Sequence, residues 1–441
     1  MSRTLYWLGN DLRLDDNAAL LAAAQSETLL ICYCIEPRWF SQYRYHTASL
    51  GPHRWQFIKQ SLADLQKSLK QYDQGIVFVI GAPQDALPAL VEAQAIDRIV
   101  RSYSVGVDEQ RSLAAVRERC PRLEVIEYDT QTLFDRELLA GPASPLPSLS
   151  SFSKFRKLAE RQNIALPLSA PAQLPPPPAN LARESLQQPI PDLSGYVSTP
   201  CPYTGGETAA REHLQAYFAG QHASTYKLTR NALDGHSLSS KFSPWLSNGS
   251  LSVRRALAEI KQYEGQHGAN DSTYWLYIEM LWREFFQWIA AEVGTALFAA
   301  KGINRCAGTR CFYPERFEKW CQGTTPYPIV NACMQQLRQT GFLSNRGRQI
   351  AASCLVNELD MDWRYGAAWF EHQLVDFDVA SNWGNWQYIA GVGVDPRGGR
   401  HFNLSKQAEL FDQDGAYVER WSPGPVLENL DTRDAADWPL G

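Results

Sequence analysis

The chain has 441 residues, 44% of them apolar, and a formal charge of −5. That length admits two or three domains with full cores, and the mild acidity excludes a global cationic field, so any nucleic-acid site must be a local basic patch. The first ten residues are expected to hold no secretory leader and no apolar run reaches membrane-spanning length, while the nine irregularly spaced cysteines, with no Cys-x-x-Cys pair, read as buried free thiols of a cytoplasmic protein rather than a zinc site.

In chain order, residues 5–8, 29–35, 76–80, 99–103 and 123–128 are short apolar runs, rich in β-branched and aromatic side chains, that predict strands. Between them, residues 52–72, 84–95 and 108–119 carry apolar side chains at helical spacing, with Phe57, Leu62, Leu65 and Leu69 as one stripe. Such alternation predicts a parallel sheet covered by helices. The turn after the first strand, Gly9-Asn10-Asp11-Leu12-Arg13, lacks the Gly-x-Gly-x-x-Gly fingerprint and disfavours an ordinary dinucleotide site. Residues 142–202 then hold 13 of the 26 prolines. Proline fixes φ and removes a donor, so this stretch reads as an ordered connector or, alternatively, a flexible segment, with a short helix at 151–162. After residue 205 the pattern turns helical, at 207–218, 253–263, 272–291, 328–339, 344–357 and 367–374, with Gly341 and Gly366 at breaks. The fold expected is an α/β domain with a parallel sheet (1–135), a Pro-rich connector (136–205) and an all-helical domain (206–441).

The helical half concentrates the chemistry, and 11 of the 14 tryptophans lie there. Ser237–Ser243 offers four hydroxyls and a lysine between Gly235 and Pro244, which suits a phosphate or an ordinary Ser-rich loop. Glu279 and Arg283 stand one helical turn apart, the spacing of a surface ion pair. Residues 341–349 and 376–388 interleave aromatic, amide and basic side chains, as a stacked base, a heteroaromatic cofactor or a polar core would need.

Several of these segments together resemble one family. Tyr226-x-x-x-Arg230-Asn, Ser239-Ser-Lys-Phe-Ser-Pro-Trp-Leu, Leu281-Trp-Arg-Glu-Phe-Phe, Thr340-Gly-Phe-Leu-Ser-Asn-Arg-Gly-Arg-Gln, Asp362-Trp-Arg, the run 376–388 and Phe411-Asp…Val418-x-Arg-Trp resemble the FAD domain of photolyases and cryptochromes, in that order. The opening Leu5-Tyr-Trp…Asn10-Asp-Leu-Arg-Leu-Asp-Asp resembles the start of the family's antenna domain. Asn-Arg-Gly-Arg-Gln, with Gln349, and Gly384-Asn-Trp-Gln-Tyr388 are most similar to the DASH branch. Ser344 stands where six-four photolyases carry histidine.

The resemblance implies FAD as cofactor, held by Tyr226, Ser239, Ser240, Phe242 and Ser243 at its phosphates. It places the pair Arg348–Asp376 against the flavin ring, Asp378 toward flavin and ribose, and Asn382 beside the reactive ring nitrogen. It implies a light-driven lyase on cyclobutane pyrimidine dimers of DNA, preferring single strands, with Glu279, Trp282, Asn345, Arg346, Gln349 and Tyr388 at the dimer. A photoreceptor or DNA-binding regulator using the same flavin is the alternative. Electron supply would run through Trp386 and Trp363, but Arg310 stands where the outer tryptophan is expected, so the relay stops short or ends on Tyr313, with Trp320 as the other indole that could serve. Glu109 resembles a carboxylate that holds methenyltetrahydrofolate as an antenna. Arg230, Lys241, Arg254, Arg346, Arg397 and Arg400 are candidates for the basic patch. The protein is expected to be monomeric.

Overall fold

The computed structural model describes residues 2–42, 44–136, 149–197, 201–306, 308, 311–394, 398–427 and 429–431. Five strands, β1 (Arg3–Trp7), β2 (Thr28–Ile35), β3 (Ile76–Ile80), β4 (Arg98–Ser102) and β5 (Glu124–Tyr128), alternate with α1 (Ala18–Ala23), α2 (Pro52–Leu69), α3 (Pro83–Ala93) and α4 (Val107–Arg119). They form one parallel sheet in the order β3-β2-β1-β4-β5, with Leu5 opposite Leu30 on one side and Ile99 on the other. The central strands are buried on both faces because helices cover both, so their sequences read as continuous apolar runs. The short α1 had no periodic signal; Asn17 starts it by accepting the Leu20 N–H at 3.0 Å.

The described part of the connector is ordered chain laid along this sheet. Leu29 donates its N–H to the Pro176 carbonyl at 3.0 Å, the Gln74 amide reaches Pro175 at 2.6 Å, and Trp55 donates to Asp192 at 2.8 Å. Proline carbonyls remain good acceptors after the donor is lost, which is how such a segment is tied down. Within it, α5 (Phe152–Ala159) is capped by Ser151 and turns Phe155 and Ala159 inward.

After residue 205 the apolar periodicity is only partial, yet twelve α-helices lie there among the described residues. They are α6 (Glu207–Ala219), α7 (His222–Thr229), α8 (Ser243–Asn248), α9 (Val253–His267), α10 (Asp271–Val293), α11 (Pro314–Gln322), α12 (Pro328–Thr340), α13 (Asn345–Ser353), α14 (Trp363–Gln373), α15 (Val379–Ala390), α16 (Leu404–Phe411) and α17 (Ala416–Trp421). A π-helical turn at Cys354–Glu358 ends the helix that starts at Asn345. Gly341 does break the chain, in the left-handed region at φ 69°. Gly366 does not: it lies inside α14, where a β-carbon would come within 2.2 Å of the Trp386 indole. Its smallness admits a ring, not a turn.

The two halves are clamped by ion pairs and a buried arginine–carbonyl bond. Arg255 forks onto Asp15 with both bonds at 2.8 Å, Arg254 reaches Asp16 at 3.1 Å, and Arg13 donates to the Gly249 carbonyl at 2.9 Å. Arg254 is therefore committed to the interface and not to a basic surface patch. Lys241 is likewise buried, and Arg397 lies outside the described residues.

Candidate functional site

One cavity of about 470 Å³ opens in the helical half. Its walls come from positions three and four apart on three helices. Leu276, Glu279, Met280, Arg283 and Phe286 line it from α10, Asn345, Arg348, Gln349 and Ala352 from α13, and Ser381, Asn382, Asn385, Trp386 and Ile389 from α15. Side chains of Tyr226 and residues 239–243 close one end, and Asp376 and Asp378 enter at the N-terminus of α15.

The polar end is built for negative charge. Ser239, Ser240, Phe242 and Ser243 pass through a left-handed turn at Lys241, φ 54°, before α8 begins. Burial pulls the Lys241 ammonium down to about 8, and Asp234 and Asp376 restore it only in part. An anion seated here supplies the missing compensation. The hydroxyl of Ser243 donates to Asp376 at 2.6 Å, so this serine organises the wall as well as facing the cavity.

Across from it, one Arg348 nitrogen meets both Asp376 oxygens, at 2.9 and 2.7 Å. The pair is self-neutralising, which is what a site that excludes water requires. Asp378 caps α15 at the Ser381 N–H (2.7 Å), accepts the Gln287 amide (2.6 Å) and lies 3.7 Å from Arg283. Asn382 donates to the Ala367 carbonyl at 3.0 Å, which fixes its amide orientation toward α14.

The third wall gathers Glu279, Trp282, Asn345, Gln349 and Tyr388. Glu279 does not pair with Arg283, the partner four residues on; it meets Arg230 of the α7 end and accepts the Trp275 indole N–H at 3.1 Å. Arg283 instead donates to the Gln131 and Leu246 carbonyls. Burial raises the Glu279 carboxyl, and Arg230 and Trp275 oppose that rise. Trp282 is stacked on Phe152 of α5, rings 3.7 Å apart and 7° from parallel. Tyr388 takes a bond from Arg400 at 2.5 Å, whose guanidinium also lies 5.0 Å from its ring centre. Arg346 points away from this wall, donating to Asn231 at 3.3 Å with its guanidinium over Phe411. Ser344 caps α13 through the Gly347 N–H at 3.1 Å. Sequence reasoning gave Phe152 no role, because it sits in the connector far from every motif. Arg230, by contrast, stood inside a quoted motif.

Residues 275–439 match the family described as FAD binding domain of DNA photolyase, and residues 4–178 match DNA photolyase. A cryptochrome DASH of Idiomarina loihiensis is 46% identical over 437 residues, 99% of this chain and 96% of that one. The chain belongs to the photolyase/cryptochrome family. Solved structures agree: a cryptochrome of Synechocystis superposes with a TM-score of 0.89 at 38% identity, covering 96% of this chain and 88% of that one. A class III photolyase from Agrobacterium tumefaciens gives 0.81 at 28%, covering 96% and 87%. FAD is the cofactor, and the anionic-ligand wall, the self-neutralised pair and the cavity's length of lining from Tyr226 to Tyr388 fit it.

The residues expected to hold an antenna and to relay electrons are placed as follows. Glu109 is exposed in the first turn of α4, beside Glu36 and Arg38 at the C-terminal edge of the sheet. Trp386, expected to feed the flavin, is buried and lines the cavity, and Trp363 is buried at the start of α14. Arg310 lies outside the described residues. Tyr313 is exposed with its ring under the Arg316 guanidinium, 4.3 Å away, and Trp320 is fully buried, 6.2 Å from Trp386. Among the described residues no helix is long and apolar enough to cross a membrane.

Proposed function

We propose that this blue-light flavoprotein binds DNA and splits cyclobutane pyrimidine dimers, with single strands preferred. The observation that carries the reading is the third wall, where a carboxylate, two amides and two planar rings share one cavity with the cofactor-facing residues. Bound FAD, reduced and excited by light, would supply one electron that splits the cyclobutane ring into two pyrimidines and would take that electron back afterwards; the protein positions and shields. Burial raises the Glu279 carboxyl and its pairing with Arg230 opposes that rise; as a carboxylate it accepts a pyrimidine N–H. Asn345 and Gln349 each offer a donor and an acceptor to the base edges, and Trp282 and Tyr388 supply flat faces. Arg346, outside the cavity lining and bonded to Asn231, is the residue proposed to meet a phosphate or another anionic part of the substrate beyond the dimer.

Strand preference follows from cost. A dimer must leave its stack to enter, and that cost is least where the strand is already single. Tyr388 and Gln349 make the wall polar, so less apolar burial is available to offset unstacking in a duplex. Glu109 is the residue proposed to hold a folate antenna. The nine cysteines are all free, which fits a reducing cytoplasm, and we place the protein there as a monomer.

The test is to illuminate holoprotein with dimer-containing oligonucleotides, single- and double-stranded, and count restored pyrimidines against a dark control. The reading predicts light-dependent restoration, faster on single strands. Replacing Glu279 by Ala should lower the yield while FAD stays bound. Flavin that reduces in light beside untouched dimers would move the reading to photoreception.

A further inference from the structure

The relay expected from the sequence has two indoles, Trp386 and Trp363, and lacks the third at residue 310. The fold brings another one to Trp363. Trp383 of α15 meets Trp363 edge-on, ring centres 5.8 Å apart at 76°, and stands three residues, nearly one helical turn, before Trp386. It is 4% exposed. Its Nε1–H donates to Glu371 Oε2 of α14 at 3.0 Å. The other indole in ring contact with this pair, Trp320, donates instead to the Ala351 carbonyl, which cannot take a proton.

We propose that Trp383 is the terminal electron donor of the relay and that Glu371 accepts its indole proton. The proposal rests on the reading that Trp386 feeds the flavin. Light-excited oxidised flavin is the one-electron oxidant. Trp386 gives it one electron, Trp363 refills Trp386, and Trp383 refills Trp363. The Nε1–H bond of Trp383 then breaks, its electron pair stays on nitrogen, and the proton forms an O–H bond on Glu371. One electron has left Trp383 for the flavin and one proton has moved to Glu371, leaving a neutral indole radical and a neutral carboxyl.

A neutral radical holds no charge to draw the electron back, whereas a radical cation buried in protein does. Proton transfer to a carboxylate in contact is therefore a trap that needs no exit to solvent. Desolvation raises Glu371 to about 7, opposed by Arg54 of α2 and by the Trp383 bond, and raised further by Glu109 and Asp108 of α4. The guanidinium of Arg54, over the Phe377 ring at 4.5 Å, also disfavours a cation held on Trp383 and so favours the deprotonated radical. The carboxyl must be ionised to accept, so the trap works above pH 7 and fails progressively below it.

Transient absorption of the oxidised holoprotein tests this, on either side of pH 7, for the wild-type chain and for Trp386→Phe, Trp383→Phe and Glu371→Gln. Bound flavin content confirms that each variant is folded. Wild type should show a neutral tryptophan radical whose lifetime shortens severalfold as pH falls through 7. Glu371→Gln should show the short lifetime at both pH values, and its flash-induced infrared spectrum should lack the protonated-carboxyl band of wild type. Trp383→Phe should lose the long-lived radical. Trp386→Phe with wild-type kinetics would overturn the relay reading itself. Wild-type lifetimes in Trp383→Phe or Glu371→Gln, with Trp386→Phe dead, would overturn this proposal alone.

Discussion

Gly366 shows how one residue type can be read two ways. Sequence favours glycine at helix ends, yet here it sits in α14 with the Trp386 ring tip at 2.2 Å and a Leu355 methyl at 2.6 Å from where a β-carbon would stand. Gly366→Ala gains about 1 kcal/mol of helix propensity. Overpacking against a rigid indole costs about 1–3 kcal/mol. The second effect wins because the indole tip cannot move without leaving its place beside Phe370 and Trp320, so denaturant unfolding should show a net loss. Phe152 is the converse case, a residue with no sequence signal and a direct contact. Its ring stacks on Trp282, a residue of the cavity wall. Phe152→Ala forfeits about 0.5–1.5 kcal/mol of ring pairing. Dimer-oligonucleotide affinity, read by fluorescence anisotropy, should fall about two- to tenfold with flavin content unchanged, and Phe152→Tyr should restore it. Unchanged affinity in the alanine variant would remove Trp282 from the substrate wall.

At the scale of elements, legibility followed periodicity. The strands and the helices with clean stripes, α2, α9, α10 and α12, appear where apolar spacing placed them, within a few residues. The start of α14 at Trp363 was missed although Asp362 accepts the Arg364 N–H at 3.0 Å, an ordinary cap signal. α15 was not read as a helix because its Asn-Trp-Gly-Asn-Trp run faces the cofactor cavity on one side and packed rings on the other, leaving no polar face to define a period. The residues named for the cavity came from motif resemblance, and their partners came only from the fold. α10 shows the limit best. Glu284, quoted within a motif but given no role, is fully buried and accepts the Leu133 and Phe134 N–H groups at 2.9 and 3.2 Å and the Trp288 indole at 2.8 Å. It ties the chain leaving the sheet to the helical half. Desolvation raises its carboxyl to about 7, above the unfolded value near 4.5. The folded state thus holds the extra proton, and this group's contribution to stability falls as pH rises from about 4.5 to about 7. His372, lowered to about 4 by burial, acts oppositely over the lower part of that window, so total stability is a poor readout. The difference between wild type and Glu284→Gln isolates the group. Wild type should lose roughly 3 kcal/mol relative to the variant across that window, and a constant difference would show that the carboxyl is not desolvated.

For the whole molecule, part of the charge is committed inside the fold rather than on its surface. Acidic and basic groups cancel in the interface, where Asp15 and Asp16 consume Arg255 and Arg254. Arg230, Lys241, Arg283 and Arg348 line the cavity and Arg400 reaches its wall through Tyr388, while Arg346 bonds Asn231 outside the lining. The parallel sheet positions Glu109 on one side of this interface, and the helices enclose the cavity on the other. The central claim is that a dimer sits in electron-transfer contact with the flavin of that cavity. Its most direct measurement is the fluorescence lifetime of the reduced holoprotein with and without dimer-containing single-stranded oligonucleotide, using an undamaged oligonucleotide as control. The account predicts a shortened lifetime with the dimer only, and a lifetime restored toward the control in Glu279→Ala. A lifetime unchanged by a dimer shown to be bound would contradict it.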